Sequence, residues 1–144
     1  MRAGRQVHGS CVSRDGDGVL LIGPSGSGKS DLALRLLGRG FSLVADDRVD
    51  IADGIAAPPP ALAGLLEVRG LGIVRLPYAA TARLALVAEL GTAAERLPAP
   101  GRHAGLGLPL IRLDPTNASA PDRIALALDC ALGRVSQVSG AFAA

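Results

Sequence analysis

The sequence predicts an α/β fold in which a β-sheet packs against helices, and three observations carry that reading. Short β-prone runs alternate with segments whose apolar residues recur at helical spacing. Apolar residues make up 49% of the chain, almost all of them Ala, Val, Leu and Ile, with two Phe, one Tyr and no Trp. That composition suits aliphatic contacts between a sheet and its helices. A glycine-rich octapeptide, residues 23–30 (GPSGSGKS), stands between an apolar strand candidate and a helical segment. At 144 residues the chain, 1–144, is expected to form one domain.

Taken in order, residues 7–13 and 19–22 are β-prone runs. The turn residues Arg14-Asp15-Gly16-Asp17-Gly18 separate them, so the pair reads as a hairpin. A helix is expected over residues 30–39, where Leu32, Leu36 and Leu37 have helical spacing and Gly40 stands at the C-cap. Residues 41–45 (FSLVA) form the next strand and run into Asp46-Asp47. Pro58-Pro59-Pro60 marks a loop, residues 65–68 a strand, and Arg69-Gly70-Leu71-Gly72 a glycine turn. Residues 82–90 (ARLALVAEL) suit a helix by propensity and a strand by flanks and length, and strand is the reading adopted. A loop over residues 96–106 and a last strand over 108–113 follow. The final helix runs over residues 121–132, capped by Ser119, with Pro in its first turn and Ile124, Leu128 and Ala131 on one face. The tail beyond Gly133 is expected to fray.

The net charge is +2, with the arginines scattered. There is no basic stripe for duplex recognition and too few aromatics for single-strand stacking, so no nucleic-acid partner is expected. No signal peptide and no apolar stretch of 18 residues is present, and no membrane association is expected. The two cysteines, Cys11 and Cys130, have no CxxC spacing and read as reduced thiols in a cytoplasmic protein.

The octapeptide has the form G-x-x-x-x-G-K-S, comprising Gly23, Pro24, Ser25, Gly26, Ser27, Gly28, Lys29 and Ser30. Its glycines let successive amides turn inward on phosphate oxygens. Lys29 brings a charge to the β- and γ-phosphates, and the Ser30 hydroxyl suits Mg2+. The helix that follows points its positive end at the same anion. A chance match in a chain with 19 glycines is the competing reading, against which the strand–loop–helix context stands. The pattern speaks for phosphate binding and leaves the reaction open.

Asp46-Asp47 ends an apolar strand one βαβ step after the loop, on the edge where open α/β sheets bind ligands. Side chains alternate along a strand, so only one of the two is expected to face the phosphates directly. A carboxylate there suits Mg2+ ligation or acceptance of a hydroxyl proton; a solvated turn or a helix N-cap is the plain alternative. Glu67 and Arg69 share a strand face at i, i+2, which fits a metal-binding carboxylate beside a phosphate-binding guanidinium, and on spacing alone fits a surface ion pair better. His8 alone reads as a packed or surface imidazole, and His103 as a solvated one.

Together these residues resemble the C-terminal catalytic domain of HPr kinase/phosphorylase. The matching pieces are His8-Gly9, residues 23–30, Arg39-Gly40, residues 43–49 (LVADDRV) and residues 66–73 (LEVRGLGI). The resemblance is firm over residues 6–75 and loose beyond. It implies a P-loop-containing mixed sheet flanked by helices, akin to the HPr kinase/phosphoenolpyruvate carboxykinase-like fold. It implies a protein serine kinase that uses ATP and Mg2+ on an HPr-like phosphocarrier, and removes the phosphoryl group by phosphorolysis, releasing pyrophosphate. Residue by residue, it makes Lys29 a phosphate-holding catalytic residue, Ser30 and Glu67 the Mg2+ ligands, and Asp47 the base for phosphorylation and acid for its reversal. His8 matches the family's catalytic histidine and Arg96 a further catalytic arginine, with Asp46, Arg69, Gly70 and Gly72 in the active-site region. A hexameric homo-oligomer is implied as well.

Two departures stand out. No counterpart of the family's separate N-terminal domain precedes His8, and the terminal helices are expected to be reduced. Residues 109–114 (PLIRLD) stand where the family carries a glycine–arginine segment tied to dephosphorylation. A P-loop kinase of small molecules and a non-catalytic nucleotide-binding regulatory module are the alternative readings.

Overall fold

The computed structural model describes residues 4–91 and 95–143. Ten strands and two helices follow one another as β1 (Arg5–His8), β2 (Ser10–Arg14), β3 (Asp17–Ile22), α1 (Lys29–Leu37), β4 (Ser42–Ala45), β5 (Arg48–Ala52), β6 (Ile55–Ala57), β7 (Leu65–Val68), β8 (Gly72–Arg75), β9 (Ala82–Leu90), β10 (Leu110–Leu113) and α2 (Ala120–Ala131). The main sheet is mixed, in the order β1-β5-β6-β9-β3-β2-β4, with β10 pairing on β9 as its eighth strand. The β3–β9 and β9–β10 pairs are parallel and the other pairs antiparallel. Strands β7 and β8 form a separate two-stranded hairpin. The expected α/β fold with a mixed sheet is therefore observed.

Alternation along the strands divides the core in two. Val12, Val19, Leu21, Leu86, Ala88 and Leu90 face a cluster that also receives Leu32, Ala33 and Leu36 of α1 and Ile124, Ala127 and Leu128 of α2. Cys11, Leu20, Val44 and Val87 face a second cluster, against which Leu106, Leu108 and Leu110 pack. Both helices thus bury their apolar stripes in one cluster.

Strand β9 explains why its sequence reads ambiguously. Ala82 and Leu84 face the second cluster, whereas Leu86, Ala88 and Leu90 face the first. The register against β3 slips between Gly18 and Val19, whose partners are Leu84 and Leu86. The extra residue, Ala85, is a bulge that moves the apolar set to the other face.

Several boundaries shift. The run over residues 7–13 breaks at Gly9, so that β1 pairs with β5 while β2 pairs with β3 and β4. A Cβ at Gly9 would lie 2.6 Å from the Leu21 carbonyl oxygen, an approach only glycine permits. Helix α1 ends at Leu37 with Gly38 at its C-cap, two residues before the expected Gly40, whose positive φ of 88° follows while the Phe41 amide donates to the Leu36 carbonyl at 3.2 Å. Ser119 does occupy the N-cap position of α2, but its side chain makes no capping hydrogen bond, contrary to expectation. Among the described residues beyond Gly133 no helix or strand forms, and Phe142 packs against the first cluster.

Candidate functional site

The end of β3 delivers the chain into the glycine loop. Gly23 has φ 151°, and a Cβ there would meet Ser27 Oγ at 2.7 Å and the Leu90 carbonyl oxygen at 2.9 Å. Gly28, at φ 97°, precedes α1 with no side-chain cap, so the first-turn amides of the helix remain available to an anion. The Ser27 hydroxyl oxygen is buried without a hydrogen-bond partner among the described residues. Uncapped amides and an orphaned hydroxyl suit a phosphate-bearing ligand.

Lys29 is buried, at 7% exposure, and its Nζ donates to the carbonyl oxygens of Gly23 at 2.8 Å and Pro24 at 3.1 Å. Burial pulls its pKa below the usual lysine value, while the charges of Asp46 and Asp47 pull it back up. The ammonium thus rests on the loop's own carbonyls, a short side-chain rotation from the cleft.

The two neighbouring aspartates have opposite environments. Asp46, at the end of β4, is 6% exposed. Its Oδ1 accepts from Ser10 Oγ and from Ser30 Oγ, each at 2.7 Å, and its Oδ2 accepts from the Glu67 amide at 3.2 Å. Asp47 leaves its side chain 65% exposed, with Oδ1 3.6 Å from His8 Nε2 and 3.9 Å from Arg48 Nη1. Its φ is 70°, and the Arg48 amide donates to the Asp46 carbonyl at 2.8 Å across it. A non-glycine residue in that region is strained, and Asp tolerates it better than most. The turn sends one carboxylate inward and the next outward.

These side chains meet in a cleft of about 420 Å³. His8, Lys29, Ser30, Asp46, Asp47, Glu67 and Arg69 line it, together with Ser25, Gly26 and Gly28 of the loop. Gly70 and Gly72 lie beyond its wall, Gly70 in the turn and Gly72 opening β8. Arg96 is exposed and is not among the lining residues, so the structure does not bring it to the others. Residues 110–113 form β10, where Arg112 Nε pairs with Glu89 Oε1 at 2.9 Å, away from the cleft wall. Sequence reasoning missed Ser10. No strand period marks it, because the chain breaks at Gly9 between β1 and β2.

Among the described residues, no group of three or more His, Cys, Asp or Glu is placed to hold a metal by itself. Ser30 Oγ and Asp46 Oδ1 nevertheless form a pair of hard oxygen donors beside the loop. Such a pair fits Mg2+ held jointly by protein, phosphate and water. Glu67 lines the same cleft, and its backbone amide, rather than its carboxylate, is what meets Asp46.

Comparison with known proteins points to one family. The family described as HPr Serine kinase C-terminal domain matches residues 1–81. HPr kinase/phosphorylase of Lacticaseibacillus casei (strain BL23) is 51% identical over 75 residues, 49% of this chain and 24% of that protein. The Clostridium tetani (strain Massachusetts / E88) protein of the same name is 49% identical over 76 residues, 50% of this chain and 25% of that one. The chain thus spans about a quarter of the length of these curated relatives. The solved HPr(Ser) kinase/phosphatase from Coxiella burnetii superposes with a TM-score of 0.73 at 23% identity, covering 90% of this chain and 92% of that one, a likeness of fold.

Proposed function

The chain belongs to the HPr Serine kinase C-terminal domain family, and from that premise we propose that it is an ATP- and Mg2+-dependent kinase of a seryl hydroxyl on an HPr-like phosphocarrier protein. The observation that carries the reading is the division of labour at Asp46-Asp47: a buried carboxylate against Ser30 and an exposed one against His8, both in one cleft with the glycine loop.

A seryl hydroxyl is a weak nucleophile at neutral pH and needs a base within hydrogen-bond reach. A base that serves a side chain on another protein must itself stand at the surface, and Asp47 does, at 65% side-chain exposure. As base, Asp47 takes the seryl proton while the oxygen attacks the γ-phosphorus and the bond to the departing diphosphate breaks. His8, 3.6 Å away, orients the carboxylate and steadies the proton it has received. Lys29 exchanges the Gly23 and Pro24 carbonyls for phosphate oxygens, with the amides at the start of α1 around them. Ser30 and Asp46 would hold the cation, with Glu67, whose amide donates to Asp46, and Arg69 lining the same cleft. Mg2+ held by these residues would supply neutralisation of the charge that develops on the phosphates.

In the phosphorolytic direction inorganic phosphate attacks the phosphoseryl phosphorus, pyrophosphate forms, and Asp47 returns the proton to the leaving seryl oxygen. In this reading the protein is cytoplasmic, consistent with its two free thiols, and assembles as a homo-oligomer. No helix among the described residues is long and apolar enough to cross a membrane.

The test is incubation of the purified chain with Mg2+, labelled ATP and the HPr-like carrier of the same genome. Seryl phosphate on the carrier is expected, with Asp47→Asn retaining nucleotide binding and losing transfer by about 100-fold or more, the scale of a general base. Clear ATP binding without transfer would favour a small-molecule kinase or a nucleotide sensor.

A further inference from the structure

We propose that Ser10 is a positioning residue for the cation-binding half of the cleft, acting through Asp46. The inference rests on reading the cleft as a nucleotide–cation site, and it concerns a residue to which that reading gives no role. Asp46 is a carboxylate at 6% exposure, and burial of such a group is tolerated only when its oxygens accept hydrogen bonds. Three donors converge on it: Ser10 Oγ, Ser30 Oγ and the Glu67 amide. Ser10 and Ser30 both line the cleft, Ser30 on α1, and the Glu67 amide belongs to the β7–β8 hairpin, outside the main sheet. Ser10 alone of the three is held within that sheet.

Its placement is rigid. Ser10 is 1% exposed, pairs with Leu21 across the β2–β3 ladder, and follows Gly9, whose close approach to the Leu21 carbonyl pins the chain. The hydroxyl donates its single proton to Asp46 Oδ1 at 2.7 Å. That bond fixes the carboxylate so that the same oxygen receives the Ser30 proton at 2.7 Å. With its proton turned to Asp46, Ser30 Oγ keeps both lone pairs for the cation. His8 faces Asp47 and Ser10 faces Asp46, so one two-residue step of the chain addresses both carboxylates.

Partners that hold a metal ligand in place are worth about 10–100-fold in metal affinity. The experiment measures Mn2+, a paramagnetic surrogate for Mg2+, binding to the full chain with a non-hydrolysable ATP analogue, read by electron paramagnetic resonance. Ser10→Ala is expected to weaken Mn2+ binding by about 10-fold or more. Affinity for the analogue in chelator should stay unchanged, and Ser10→Thr, which restores a hydroxyl, should recover most of the loss. Ser10→Cys keeps the side-chain volume but replaces the hydroxyl by a weak donor, and should weaken Mn2+ binding too; it decides the matter if the alanine variant does not fold. Wild-type Mn2+ affinity in the cysteine variant would make Ser10 a packing residue and overturn the proposal. So would a parallel fall in chelator affinity for the analogue. Failure of the wild type to bind analogue or Mn2+ would remove the functional reading along with this one, whereas wild-type binding unaltered by these substitutions removes this one alone.

Discussion

Every residue that lines the cleft lies between His8 and Arg69, whereas β9, with β3 on one flank and β6 and β10 on the other, and the second helix come from Ala82 onward. The family match ends at residue 81, close to the same division. The first segment carries polar groups held under constraint: a strained Asp47, a buried Asp46, a lysine turned onto carbonyls. The second lines no part of the cleft and supplies Leu86, Val87, Ala88, Ile124 and Leu128, all fully buried, to a core that the first also builds with Val12, Leu21, Leu32 and Leu36. Chemistry demands particular atoms at particular distances, and a core demands only volume and pattern.

The comparison breaks most sharply at Lys29. Lys29→Ala removes the one ammonium of the loop and is expected to lower phosphoryl transfer by about 1,000-fold or more, in line with loss of a preorganised charge at the transferring phosphate. The melting temperature should rise or stay level, because a desolvated lysine with its pKa pulled down leaves the interior. Parallel transfer assays and thermal melts would check this; a collapse in stability would show that Lys29 holds the loop together rather than serving its ligand.

Ile124 is the converse. Its side chain is fully buried in the cluster shared by both helices. Ile124→Ala should cost about 2–5 kcal/mol of stability through lost transfer energy and a cavity. Nucleotide affinity, measured well below the melting midpoint, should stay within about twofold of wild type, since Ile124 is not among the residues lining the cleft. Denaturant titration and equilibrium binding would separate the two, and a selective loss of binding at unchanged stability would dissolve the division between the segments.

How much of this was legible in the sequence follows the same line. The glycine loop and its flanking strand and helix could be read directly, because the pattern states its own geometry. Strand β7 and strand β9 emerged with the bounds expected, the latter despite its bulge. Strands β5, β6 and β8 were not read. For β5 and β6 a signal existed: Val49 and Ile51 alternate with polar neighbours, and Asp53-Gly54, with φ of 53° and 76°, is a hairpin turn of the mirror-image kind. The resemblance singled out Asp47 as the base, but that Asp46 is the buried carboxylate and Asp47 the exposed one was not legible, since turn conformation decides it and does not show in two identical letters. Arg96 was placed by likeness where the resemblance had become loose, just past residues 92–94, which lie outside the described set.

The division sharpens within a single strand. Ser10 and Cys11 are neighbours on β2, yet Ser10 faces Asp46 while Cys11 faces the second apolar cluster. Support and chemistry are thus separated by the alternation of one strand and not only by position along the chain. Burial pushes the Cys11 thiol up to about 12 from an ordinary 9.0, so the folded state keeps its proton where the unfolded chain has lost it. With more protons bound in the folded state, stability must fall as pH rises through that window, by about 1.4 kcal/mol per unit, and must be fully present below it. Denaturant titrations at pH 8 and pH 10 should show a loss in the wild type that exceeds the loss in Cys11→Ala by about 1.4 kcal/mol. Cys130, half-buried on α2, should react with a thiol reagent in the native protein while Cys11 reacts only on unfolding. Equal pH losses in the two proteins, or native labelling of Cys11, would mean that β2 opens to solvent, and a strand that opens could not hold Ser10 against Asp46.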